Sequence, residues 1–158
     1  MKRSNNILLA TLSFIIISAC SKSKETTAPL SGSKDSTAIF LKTGDWKLTV
    51  FTITPALNGV TDGLYMQPDC LRDNLWQYAN NNVFYINEGD TKCNEADPQI
   101  QQGTWNYDEA SKVLTFNTAT IDFLIKVTSS SATSISGYRD DVVIDGSSYV
   151  YNGTLSRQ

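Results

Sequence analysis

"NLWQYANNNVFYINE", residues 74–88, decides the fold class. Its two halves alternate. Trp76 and Tyr78 share one face of the first half, Phe84 and Ile86 one face of the second, and a period of two belongs to a half-buried strand. Asn80-Asn81-Asn82 between them is turn chemistry suited to a hairpin. The pattern repeats outward in both directions. Upstream, "WKLTVFTIT" (46–54) places Trp46, Leu48 and Val50 on one face. Downstream, "QQGTWNY" (101–107) aligns Trp105 with Tyr107, and "DEAS" turns into "KVLTFNT" (112–118). "TIDFLIKVT" (120–128) and "SATSISGYR" (131–139) follow, and "DGSS" leads into "SYVYNGTLS" (148–156). Eight short strands joined mostly by tight turns predict an up-and-down antiparallel barrel or a sandwich. The barrel is preferred, because closure leaves no edge strand exposed. Only the link over residues 55–73 is too long for a tight turn, and residues 36–42 ("STAIFLK") allow at most one helical turn before the first strand.

The N-terminal residues read differently. Lys2 and Arg3 precede an apolar run over residues 7–17, which then gives way to Ser18-Ala19-Cys20. A positive start, a short apolar run and small residues at its exit are the layout of an export signal, and a spanning helix needs about 20 apolar residues. Ile17-Ser18-Ala19-Cys20 resembles the bacterial lipobox. That resemblance implies cleavage before Cys20, a diacylglycerol on its thiol and anchoring through acyl chains. Residues 1–19 are thus expected to be a lipoprotein signal peptide and residues 20–36, rich in Ser, Thr and Lys, a flexible tether. Residues 37–158 form one domain of ordinary size. Ser21-Lys22 lacks the aspartate that the best-known sorting rule links to inner-membrane retention, so a lipid-anchored position at the outer membrane of the cell envelope is expected.

Setting Cys20 aside leaves Cys70 and Cys93, an even number in an oxidising compartment and the condition for a disulfide. The chain has 13 Lys and Arg against 16 Asp and Glu. Lys2, Arg3, Lys22, Lys24, Lys34, Glu25 and Asp35 lie before the domain, leaving 8 against 14 and a net charge of −6. An acidic domain without a basic stripe does not suit nucleic acid. The absence of histidine removes Ser-His-Asp catalysis and histidine-bound zinc. A carboxylate pair could still hydrolyse glycosides, but Asp69, Asp73, Glu88, Asp90, Glu95 and Asp97 flank the cysteines in polar loops and read as solvated charges. Asp122 falls on the outward phase of its strand. "NEGDTKCNEAD" and "RDDVVIDG" are rich in oxygen ligands without the spacing of a calcium loop. No cofactor or metal and no enzymatic activity are expected.

"GDWKLT", "PDCLRDNLWQY", "YINEGDTKCNEADP" and "GTWNYDEASKVLTF" together resemble the lipocalin-like domain of bacterial envelope lipoproteins over about residues 44–116, with the paired cysteines, the acids beside them and the Gly-x-Trp at Gly103–Trp105 in the expected order. The resemblance implies an eight-stranded lipocalin-like barrel, a Cys70–Cys93 bridge and the binding of a small apolar ligand, and it carries over no catalytic residue. A bridge would close a loop of residues worth about 3 kcal/mol. An eight-stranded barrel is just wide enough to be filled by its own side chains or to hold one small ligand. The candidate lining is Trp46, Leu48, Val50, Trp76, Tyr78, Phe84, Trp105, Phe116, Phe123, Tyr149 and Tyr151. Two functions are therefore expected to compete. One is the binding of a small hydrophobic or amphipathic molecule. The other is an interaction module whose acidic loops meet an envelope protein. Gly153, inside Asn152-Gly153-Thr154, reads as a bulge or as close packing at barrel closure.

Overall fold

The computed structural model describes residues 35–119 and 121–158. The expected signal peptide, the expected lipid-attachment residue Cys20 and most of the expected tether lie outside them. Among the described residues nine strands make one sheet: β1 (Asp45–Leu57), β2 (Val60–Asp62), β3 (Leu75–Tyr78), β4 (Val83–Asn87), β5 (Ile100–Asp108), β6 (Val113–Asn117), β7 (Asp122–Ser130), β8 (Ser134–Ile144) and β9 (Ser147–Arg157). Neighbours from β3 to β9 pair in chain order, and all ladders are antiparallel. β1 pairs with β3 on one side and with β9 on the other, which closes an eight-stranded up-and-down barrel. β2 is the extra strand. It folds back on β1 through Asn58-Gly59, both at positive φ, the two-residue turn whose twist suits a hairpin.

Turn chemistry explains the remaining connections. Asn81 and Asn82 take positive φ between β3 and β4, and Asp145-Gly146 does so between β8 and β9. The last two strands are longer than the sequence suggests, because "RDDVVI" continues β8 instead of starting a loop.

The base of the barrel is closed. α1 (Thr37–Leu41) lies beneath it, and the Trp46 indole donates to Leu41 O at 2.9 Å while the Trp105 indole donates to Ala79 O at 2.9 Å. Large buried rings are satisfied in this way at their one polar atom. Above the base runs a column of rings: Trp105 to Tyr78 at 5.5 Å, Tyr78 to Phe84 at 5.1 Å, Phe84 to Phe116 at 5.0 Å, and Phe116 stacked on Phe123 at 5.3 Å. Leu41, Leu114, Val127, Ile135 and Leu155 fill the space around them.

At the opposite end, the mouth, the β1–β3 seam is short. It holds only Asp45↔Gln77 and Trp46↔Trp76, although β1 continues for another eleven residues. Above those two pairs β1 leaves β3 and is met on the same side only by β2, and two short helices, α2 (Gly63–Met66) and α3 (Asp69–Arg72), lie in the link between β2 and β3. Asp62 caps the first by accepting from Leu64 N and Tyr65 N. Gly63 packs flat on the Phe51 ring, so closely that a Cβ there would fall 2.4 Å from it.

Candidate functional site

A bulge in β1 shapes the site. Leu48 pairs with Leu155 and Val50 with Thr154, so one extra residue of β1 faces a single step of β9. Everything beyond it changes face. The simple alternation that puts Val50 beside Trp46 and Leu48 is therefore wrong: Val50 is 46% exposed, and Phe51 and Ile53 turn inward in its place.

The interior divides in two. The lower part is solid, and five of the expected lining residues fill it: Trp46, Tyr78, Phe84, Trp105 and Phe116 are all buried in the core. The upper part holds two adjoining apolar hollows. The outer one, about 220 Å³, is bounded by Leu48, Phe51, Trp76, Ile86, Ile121 and Phe123, with Gln67, Leu71 and Asn74 on the helical side. The inner one, about 70 Å³, lies against Ile125, Ile135, Tyr151 and the cross-strand pair Gly137–Gly153, and shares Leu48, Phe51 and Trp76 with the outer one. Of the expected lining, Leu48, Trp76, Phe123 and Tyr151 thus meet a hollow. Tyr149 is half-buried and lines neither, since it sits nearer the mouth, past the register shift between Arg139 and Val142.

Sequence reasoning missed several lining residues. Phe51 is hidden by the bulge, Gly137 and Gly153 by having no side chain to read, and Gln67, Leu71 and Asn74 by lying in a link without period. Gly153 is no bulge. It stands in regular register opposite Phe51 and Gly137, on the β1–β9 seam that closes the barrel.

The rim is polar and carries two ion pairs. Arg139 reaches the inner hollow, its guanidinium 5.7 Å from the centre of the Phe123 ring. Its Nε donates to Asp141 Oδ1 at 2.6 Å and its second terminal nitrogen to Asp141 Oδ2 at 3.3 Å. Nearby, Lys126 pairs with Asp140 at 2.8 Å.

A disulfide between Cys70 of α3 and Cys93 of the β4–β5 loop, with Cα atoms 5.1 Å apart, ties the helical cover to that loop. Acids beside it hold the backbone. Glu88 is buried, and its carboxylate accepts from Gln101 Nε2 at 2.8 Å and from Cys93 N at 3.4 Å. Asp73 Oδ2 accepts from Asp90 N, Thr91 N and Thr91 Oγ1. Burial raises the Asp73 pKa, but these hydrogen bonds outweigh it and hold the carboxyl below its usual range. Reading Glu88 and Asp73 as solvated loop charges is therefore incorrect, because both are acceptors for a loop with no ladder of its own. Asp69, Asp90 and Glu95 do face solvent, as does Asp122 on β7. Asn74, with its amide nitrogen inward, donates to Cys70 O at 3.1 Å and Glu88 O at 3.3 Å. Among the described residues no cluster of three or more Cys, Asp or Glu groups is placed to hold a metal ion, and no helix is long and apolar enough to cross a membrane.

No family model matches the chain, and a search of curated proteins returns no match.

Proposed function

We propose that this chain is a lipid-anchored lipoprotein of the bacterial cell envelope, attached through Cys20, whose lipocalin-like barrel binds one small hydrophobic or amphipathic molecule without chemical turnover. The apolar hollow beneath α2 and α3 carries this reading. Apolar walls with a few polar groups at one side are how small-molecule sites are built, although most such sites span about 300–1,000 Å³. At about 220 Å³ and 70 Å³ the two hollows suit a small ligand and exclude a diacyl lipid.

Titration of the purified domain with N-phenyl-1-naphthylamine, together with a native mass spectrum of material from the cell of origin, tests this. Saturable fluorescence at one site per chain is expected. A flat titration and a ligand-free native mass would overturn it. Anchoring has its own test: Cys20→Ser should abolish incorporation of a labelled fatty acid and release the protein from membranes.

A second reading, an acidic interaction module for a basic envelope protein, draws on the solid lower barrel and on the exposed carboxylates beside the disulfide. Capture from envelope extract at low salt but not at high salt would favour it, and an empty capture at both would remove it.

A further inference from the structure

Gly153 stands where nothing local requires glycine. Its φ lies outside the left-handed region, and a Cβ built on it meets Leu48 Cδ1 at 3.4 Å and Val50 O at 3.7 Å, which are ordinary contacts. Its cross-strand partner Gly137 is different, since a Cβ there would come within 2.6 Å of Ile125 Cγ2 and 2.7 Å of Lys126 O. Glycine inside a strand loses more backbone entropy than other residues and packs nothing. What its presence at 153 preserves is the inner recess.

That recess is too small for a ring. A benzene-sized guest occupies a cavity of about 150 Å³, and this one offers about 70 Å³ with an almost wholly apolar lining. An alkyl end of a few carbons fits. The polar side chains Gln67 and Asn74 lie on the outer hollow instead, across Leu48, Phe51 and Trp76. Arg139, the charged side chain that reaches this recess, is already matched by Asp141.

Resting on the ligand-binding reading above, we propose that the ligand is a neutral single-chain amphipath whose alkyl end enters this recess, and that Gly153 sets the chain length accepted. The side chain at position 153 acts as a ruler. Its size subtracts from the room left for carbon atoms.

A series of n-alkanols, hexanol to dodecanol, titrated by calorimetry and by the fluorescence of Trp76, provides the test. In the parent domain affinity should rise about fourfold per added methylene until the recess is full, and then level off. Gly153→Ala should move the plateau about one carbon shorter and Gly153→Val two or three, with the shortest alkanol little changed. If the valine variant does not fold, the alanine variant carries the comparison, because its Cβ already fits. An unmoved plateau in folded variants overturns the proposal, and so does tighter binding of the alkanoate than of the alkanol of equal length. Binding of N-phenyl-1-naphthylamine without binding of any alkanol overturns the chain-length inference alone. Binding of neither overturns the ligand-binding reading beneath it.

Discussion

Tyr78 is a phenol in the wrong place for its hydroxyl. Its ring packs against Phe84, Trp105 and Phe116, while Oη is buried and has no hydrogen-bond partner among the described residues. Burial alone pushes its pKa far above the usual tyrosine value. An unsatisfied buried polar group costs about 1–3 kcal/mol, and removing it while keeping the shape recovers part of that. Tyr78→Phe should therefore leave the urea midpoint unchanged or raise it, by up to about 1 kcal/mol of stability; a clear loss would mean that the hydroxyl has a role. Asp35 shows the opposite case. The Thr37 hydroxyl at 2.6 Å and Tyr107 Oη at 2.6 Å donate to its carboxylate, and these bonds hold its pKa below the usual range. A carboxyl with a lowered folded-state pKa stabilises the fold above its unfolded value, about 3.9, and that contribution fades as pH falls through the folded value. Melting between about pH 5 and pH 2 should thus fall less steeply in Asp35→Asn than in the parent, with Asp73 supplying part of the slope that remains.

At the scale of the element, β1 is where the sequence pattern and the fold part company. The bulge after Leu48 turns Val50 out and Ile53 in, leaving Ile53 at 2% exposure. Val50→Thr should change stability by no more than about 0.5 kcal/mol, as surface substitutions do, whereas Ile53→Ala should cost about 2–5 kcal/mol. Equal costs at the two positions in chemical denaturation would argue against the bulge. The helical cover poses a different question. α2 and α3 have four residues each and could not persist as isolated helices. They are held by the Asp62 cap, the Gly63–Phe51 contact and the Cys70–Cys93 bridge, which joins residues 23 apart. Replacing both cysteines with alanine should lower unfolding stability by about 3 kcal/mol on the chain-entropy account, read as a drop in the urea midpoint with a somewhat steeper denaturant slope, because the unbridged unfolded chain exposes more surface.

Across the whole molecule, order should decrease from the long ladders to the cover. β9 pairs with β1 and with β8 along most of its length, while β3 and β1 share two residue pairs. Among the described residues, two of the three buried side-chain atoms without partners, Gln67 Oε1 and Asp73 Oδ1, belong to the link that carries the cover. Native-state hydrogen exchange should accordingly show the β8–β9–β1 amides opening only with global unfolding, and amides of residues 63–73 exchanging at much lower free energy. Uniform protection across the domain would contradict this. The gradient also suits a binding protein, whose base must be rigid and whose mouth must admit a ligand.

Much of this architecture is local chemistry and was legible in the chain. Alternating Trp76, Tyr78, Phe84 and Ile86 can bury one face only as strands. The Asn81-Asn82 and Asp145-Gly146 turns accept positive φ, and Cys70 and Cys93 are the one pair of cysteines within the domain. The Asn58-Gly59 turn was equally readable, and taking residues 55–73 as one long link passed over it. Other features depend on residues far apart in sequence. The β1 bulge is set by its pairing with β9, a hundred positions away, so no local alternation could place Val50 outside and Phe51 inside. Whether the barrel is hollow or filled follows from how side chains of eight strands share one interior. Here five large rings occupy the lower part, and two facing glycines leave the upper part open, a balance of volumes that only the closed tertiary structure decides.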